Sequence, residues 1–351
     1  MDHLRGIDQL PHDTRLAVTV GVFDGVHRGH QQVFRVLEQT ARRLAAMPVV
    51  VTFDPHPDAV VAGRAPDLLM DQHERLERLS QLVGGIVVLQ RFDEVFRRTT
   101  AEEFVRRLGG GRNLAAMVMT RVSAFGRDRG GTLPVLREMG ARGGWELVEA
   151  PTLDQGGARV SSARIRELVA EGQLQTAAEL LGRPFALVGS VVHGEQRGRE
   201  LGFPTANLDF SQPVCLPPDG IYAARATWGG DRILEPLDRA DAVVSLGTQP
   251  TFGGRLRLME VHLLDRDEDL YGKRMRVEFS DWLRGQRRYE SVDELIEQMG
   301  ADVERARAVL TRQSAGRDGH RSPDRVLDCQ PGDILRWAAD VPDGRDGPER
   351  G

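Results

Sequence analysis

The chain has 351 residues, 40% hydrophobic and 28% charged, with a formal net charge of −5. That is a globular composition too long for one compact core, so about two domains are expected. The acidic balance excludes a broad basic face for nucleic acid and leaves room only for local basic sites.

Cys215 and Cys329 lie far apart without CxxC or zinc-type spacing, which suggests neither a disulfide framework nor a cysteine metal site and fits a reducing cytoplasm. The opening "MDHLRGIDQLPHDTR" has no apolar h-region. No apolar run approaches the roughly 18 residues that a membrane span needs, so a cytoplasmic protein without membrane contact is expected.

In chain order, "LAVTVGVF" and "PVVVTFD" are β-branched strand runs. Between them "HQQVFRVLEQTARRLAAM" repeats apolar residues at helical spacing, which makes a β-α-β unit. The alternation continues through a helix "DQHERLERLSQLV", a strand "GIVVLQRF", a helix "TAEEFVRRLG", a strand "LAAMVMT", a helix "TLPVLREMGARG" and a strand "WELVEAPTL". Such alternation predicts a Rossmann-like parallel sheet covered on both faces, an α/β domain over residues 1–182. Two short helices in "SSARIRELVAEGQLQTAAELLGRP" close it.

Strand-like segments follow, "FALVGSVVHG", "GIYAARATW", "DAVVSLGT", "LMEVHLLD" and "MRVEFSDWL", separated by Gly, Pro and Asp turns. They predict a mainly antiparallel β-barrel or sandwich over 186–312, ending in the helical "SVDELIEQMGADVERARAVL". Residues 313–351 are rich in Gly, Pro, Asp and Arg with little periodicity, which predicts a largely disordered tail with "DILRWAAD" as one short helical stretch.

Three stretches carry chemistry. In "GVFDGVHRGH", His27 and His30 are spaced i, i+3 with no intervening Glu and no third ligand nearby, unlike a zinc helix. Placed at a helix N-terminus, two imidazoles on one face suit a phosphate, because free N–H groups and the helix dipole already favour anions there. Gly21, Gly25 and Gly29 would let backbone and ligand approach closely, and Gly21, Phe23, Asp24 and Gly25 of this loop are the candidate ATP-phosphate residues. Any one of these residues alone reads as an ordinary turn or cap. Their order after a strand and before an amphipathic helix resembles the signature of the HxGH nucleotidyltransferase superfamily.

In that superfamily a Ser- and Arg-bearing loop closes on the triphosphate late in the domain. "VSSARIRELV" supplies Ser161, Ser162, Arg164 and Arg166 at a helix start, although an isolated Ser-Ser-x-Arg is usually a simple N-cap. "VTFDPHP", with Asp54 and His56, ends a strand where open α/β sheets bind ligands.

The third stretch is "GSVVHGEQRGRELGFPTANLDF". Gly194, Gly198 and Gly202 with Arg197 and Arg199 make a basic loop suited to nucleotide phosphates, and Thr205 and Asn207 offer neutral oxygens to Mg²⁺.

The order of HxGH motif, "SSARIR" and "GSVVHGEQRGRELGFPTANL" resembles bacterial bifunctional riboflavin kinase/FAD synthetases from about Ile7 to Leu310. "DGIYAA", "LGTQPTF" and "EVHLLDRDEDLYGKRMRVEF" stand in the same order. The resemblance implies a C-terminal flavokinase making FMN from riboflavin and ATP, and an N-terminal adenylyltransferase joining FMN to AMP with release of pyrophosphate. Both steps would use Mg²⁺. It places the kinase's general base on Glu260 and its Mg-ATP residues on Thr205 and Asn207, with His27 and His30 serving the adenylyl transfer.

Departures cluster in "TRVSAFG", where Thr120, Val122 and Ser123 replace the family's Gly, Asp/Asn and first Phe. Ala163 stands for a more usual Thr, and Ser245 and Gln249 replace Asn and Arg. They keep open a divergent paralogue with a weakened or retargeted nucleotidyltransferase, and a flavin-binding regulator without turnover. The oligomeric state is left open by the sequence.

Overall fold

A computed structural model describes residues 3–109, 113–194, 197–230, 232–251 and 254–317. The N-terminal half runs β1 (Leu16–Val20), α1 (Arg28–Arg43), β2 (Met47–Asp54), α2 (Pro57–Val61), α3 (Gln72–Leu82), β3 (Ile86–Arg91), α4 (Glu94–Arg97), α5 (Ala101–Arg107), β4 (Leu114–Met119), α6 (Leu133–Gly143) and β5 (Glu146–Glu149). The five strands form one sheet in the order β3-β2-β1-β4-β5, with every pairing parallel. β1 and β4 are buried along their whole length, which is why their sequences are apolar without alternation. Chain order reverses at β1, so the loops leaving β1 and β4 face each other at a topological switch point.

A short hairpin of β6 (Asp154–Gln155) and β7 (Ala158–Arg159) leads into α7 (Ser162–Ala170) and α8 (Leu174–Leu181). The C-terminal half contains β8 (Ala186–Val192), α9 (Arg197–Glu200), β9 (Ala206–Asp209), β10 (Gly220–Trp228), β11 (Asp238–Thr251), β12 (Gly254–Leu263), β13 (Arg274–Arg284) and α10 (Val292–Arg317). Its six strands close into an antiparallel barrel in the order β10-β11-β12-β9-β8-β13.

Five of these strands are the expected ones. The sixth, β9, comes from the Pro-Thr-Ala-Asn segment, where turn-forming residues hide a strand that bridges β12 and β8. α10 packs over the barrel through Ala306, Val309 and Leu310 against Ile221, Ala223 and Leu283. It continues to Arg317, past the expected end of the domain at 312; the tail expected to be disordered lies, from 318 onward, outside the described residues.

The two halves are not separate cores. One apolar cluster runs from Ile165, Leu168 and Leu180 of α7 and α8 through Phe185 into the barrel interior at Tyr222, Trp228 and Phe279. Polar contacts reinforce this seam from α3. Asp71 pairs with Arg274 at 2.6 Å and Glu74 with Arg276 at 3.2 Å, while the Glu77 carboxylate accepts from the backbone N–H groups of Ile233 and Leu234. Asp71, Glu74 and Glu77 recur every three residues, which places them on one face of the helix.

Candidate active sites

The first site is built on the turn from β1 into α1. His27 is the N-cap of α1, and its Nδ1 accepts from the His30 backbone N–H at 3.3 Å. That bond leaves the ring proton on Nε2, a donor to any anion at the helix end. The two imidazoles stack at 3.6 Å, and the Phe23 ring meets His30 edge-on. Burial, with the Arg183 and Arg166 guanidinium groups nearby, pushes His27 down to about 3. Burial and the neighbouring His27 hold His30 well below the usual imidazole range. Both rings are therefore neutral hydrogen-bonding groups near pH 7. His30 Nδ1 is buried with no hydrogen-bond partner, which a ligand atom could supply.

The turn needs its glycines. Gly25 sits at φ +79°, and a Cβ there would come within 2.8 Å of Leu69. A Cβ on Gly21 would meet the Phe23 ring at 2.9 Å.

Asp24 anchors the turn. Its carboxylate is 2% exposed, accepts from the Leu69 N–H at 3.1 Å and from Arg166 Nη2 at 2.6 Å. So engaged, it ties the turn to α7 and to the backbone at Leu69.

Two of the "SSARIR" residues, Ser162 and Arg166, reach the same turn. Ser161 is the N-cap of α7, accepting from the Arg164 N–H, and the Ser162 hydroxyl donates to the Asp24 carbonyl at 2.9 Å. Arg164 donates to the Gln155 and Ala158 carbonyls, and Arg166 also donates to the Asp67 carbonyl. These four side chains hold the hairpin, α7 and the HxGH turn together. The loop after β4 is closed by a 2.7 Å contact between the Thr120 and Ser123 hydroxyls, with Val122 exposed and Phe125 packed on Phe104. His56 caps α2 through its Nδ1.

One residue here escaped sequence reading. Arg183, in the link between α8 and β8, donates to the Gly25 carbonyl at 2.8 Å and to the Val26 carbonyl at 3.4 Å. In the sequence it is only part of a Gly-Arg-Pro stop signal.

The second site lies on the barrel. β12 is flanked so that Glu260 stands directly opposite Asn207 of β9 on one side and Ser245 of β11 on the other. Directly opposed residues share a face of a sheet, so a carboxylate, an amide and a hydroxyl share this patch. Two glycines pack against the segment around Asn207. A Cβ on Gly194 would fall 2.2 Å from the Asn207 amide nitrogen, and one on Gly198 would fall 2.4 Å from the Phe203 carbonyl and 3.3 Å from the Thr205 hydroxyl. His262 Nδ1 holds the Pro204 carbonyl at 2.8 Å, fixing the Pro-Thr-Ala-Asn segment to β12.

Arg197 and Gly198 begin α9, and Arg199 pairs with Asp267 at the surface. Gln286 donates to Ser245 Oγ at 3.2 Å and to the Leu246 carbonyl, placing an amide next to the position where Ser245 replaces Asn. The Gln249 side chain lies outside the described residues.

A helix terminus with two neutral imidazoles at the switch point of a parallel sheet, joined to a barrel that sets Glu260 beside Asn207 with Gly194 against that amide, is the architecture of a two-domain transferase acting on nucleotides. Family models agree: FAD synthetase matches residues 9–164 and riboflavin kinase matches 181–310. Over 316 residues the chain is 34% identical to the bifunctional riboflavin kinase/FMN adenylyltransferase of Escherichia coli strain K12, covering 88% of this chain and 97% of that one. It is 30% identical to the Bacillus subtilis counterpart, covering 82% and 90%. The chain belongs to the bifunctional riboflavin kinase/FMN adenylyltransferase family.

The fold also matches a Streptococcus pneumoniae structure described as a macrolide-efflux protein, at TM-score 0.75 and 29% identity, covering 87% of this chain and 98% of that one. Among the described residues of this chain no helix is long and apolar enough to cross a membrane.

Proposed function

We propose that the chain makes FAD from riboflavin in two ATP-dependent steps, one at each site. In the barrel, the flavin 5′-hydroxyl attacks the γ-phosphorus of ATP. The new O–P bond gives FMN, the bond to ADP breaks, and Glu260 accepts the hydroxyl proton. In the N-terminal domain, a phosphate oxygen of FMN attacks the α-phosphorus of a second ATP, and the bond to pyrophosphate breaks. The observation carrying this reading is that the two family matches span both sites of one chain, in the order found in relatives it matches nearly end to end.

The residues have the chemistry for these roles. Phosphoryl transfer asks mainly for positioning and charge neutralisation, with a carboxylate near the attacking hydroxyl. The neutral imidazoles of His27 and His30 and the N–H groups of the α1 terminus can bind ATP oxygens and stabilise charge developing at the α-phosphate. Gly21, Phe23 and Gly25 shape that cradle, while Asp24, Ser161, Ser162, Arg164 and Arg166 position it. Gly194, Arg197, Gly198 and Arg199 would cover the nucleotide in the barrel.

No group of three or more His, Cys, Asp or Glu side chains fit to hold a metal occurs among the described residues. The oxygens of Thr205 and Asn207, tucked against Gly198 and Gly194, nevertheless suit Mg²⁺, which takes few protein ligands and draws the rest from phosphates and water. When bound, Mg²⁺ would neutralise phosphate charge. The reading implies a cytoplasmic enzyme, since both steps consume ATP.

Paired variants test the two-site assignment. Glu260→Ala should abolish FMN formation yet still convert supplied FMN to FAD, and His30→Ala should do the reverse. Equal loss of both activities in either variant would overturn it.

A further inference from the structure

We propose that Arg183, a residue of the interdomain link, is a positioning residue for adenylyl transfer: it fixes the backbone of the HxGH turn from behind. The inference rests on the assignment of FMN adenylylation to the N-terminal site.

The geometry is specific. The 23–27 turn must bend sharply, with Phe23 at φ +55°, Gly25 at +79° and Val26 at +40°. Three consecutive turn residues are therefore held by contacts from other elements. Asp24 is gripped through its side chain by Arg166 and Leu69, and through its carbonyl by Ser162. The next two carbonyls, of Gly25 and Val26, both accept from the Arg183 guanidinium, and Gln31 Nε2 adds a second donor to Val26 at 3.1 Å. The same guanidinium donates to the Leu181 carbonyl at the end of α8, as does Gln31. One planar fork thus ties the phosphate-side turn to the C-terminus of the helix that enters the barrel domain, a geometry a lysine ammonium cannot reproduce.

A positively curved non-glycine turn is strained unless its surroundings over-determine it. Val26 is such a residue and is fully buried, so the strain at the residue just before His27 is carried by contacts that include Arg183.

Against Val26 and Arg183 lies an open cavity of about 300 Å³, lined also by Gln31, Arg78 and Arg276, with Ile233 from the loop between β10 and β11. Removal of the Arg183 side chain would open the turn toward that space instead of letting neighbours refill it. The turn's N–H groups and His27 Nε2 would then lose their alignment, which is felt at the transition state more than in ground-state binding.

The test uses the full chain supplied with FMN, Mg²⁺ and ATP. Wild type must form FAD; if it does not, the adenylyltransferase assignment fails and Arg183 is not at issue. Given wild-type turnover, Arg183→Ala should lower kcat for FAD formation about tenfold or more with a smaller change in KM for ATP, while riboflavin phosphorylation keeps its wild-type kcat. Millimolar guanidinium added to this variant should recover part of the lost kcat. Arg183→Lys, which keeps charge but not the fork, should fall several-fold and gain nothing from guanidinium. A merely structural role predicts a lowered melting temperature with kcat unchanged at a permissive temperature. That result, or wild-type kcat in Arg183→Lys should the alanine variant fail to fold, would overturn the proposal.

Discussion

Replacing Glu74 with Gln removes the central charge of the seam between the two halves. Glu74 lies on α3 with 1% of its side chain exposed, paired at 2.9 Å with Arg78 of its own helix and at 3.2 Å with Arg276 of β13. Burial alone would raise its carboxyl, but Arg276 and Arg78 hold it down to about 2, from an ordinary value of 4.5.

Linkage converts that difference into roughly 3 kcal/mol of stability. Because the folded carboxyl is the more acidic one, this contribution is fully present above pH ~4.5 and is lost as pH falls toward 2. Glu74→Gln should therefore cost about 3 kcal/mol at pH 7, with Glu278 still paired to Arg276. The cost should shrink to below ~1 kcal/mol near pH 2.5. Urea denaturation followed by circular dichroism at the two pH values measures both numbers. An equal cost at pH 7 and pH 2.5, or a cost under about 0.5 kcal/mol at pH 7, would refute the reasoning.

Two further outcomes follow from the sites. Asp24→Asn exchanges a charge-assisted bond to Arg166 for a neutral amide, so it should destabilise the N-terminal half by about 2 kcal/mol. FAD formation should fall while FMN formation from riboflavin holds, with thermal unfolding and product chromatography as the readouts. Gly194→Ala puts a methyl 2.2 Å from the Asn207 amide nitrogen. It should lower FMN formation about 10–100-fold while FAD formation from supplied FMN stays at the wild-type rate, as measured by separate initial rates.

Much of the fold was legible because its signals are local. β1 and β4 are continuous apolar runs and α1 carries its apolar residues at helical spacing, so the parallel sheet and its ligand-binding edge follow from pattern alone. β9 was not legible: the last two residues of a turn-like Pro-Thr-Ala-Asn, with Leu208 and Asp209, become a strand only because β12 and β8 offer edges on both sides.

The same division holds at the sites. His27, His30, Thr205 and Asn207 sit in contiguous motifs. What orients them comes from far along the chain: Arg166 reaches Asp24 across 142 residues, and Arg183 reaches Gly25 across 158. Motif reading therefore placed Asp24 among phosphate ligands without its contacts to Leu69 and Arg166. The departures at 120–126 are likewise partly self-compensating, since Thr120 and Ser123 bond to each other and keep the turn closed.

The most direct test of the account is a single time course. Purified full-length chain with riboflavin, Mg²⁺ and excess ATP is sampled and its flavins separated by chromatography. FMN should appear first and FAD follow at its expense, with pyrophosphate released in step with FAD. FMN accumulating without FAD, even when FMN is supplied at the outset, would contradict the claim that this chain carries both reactions.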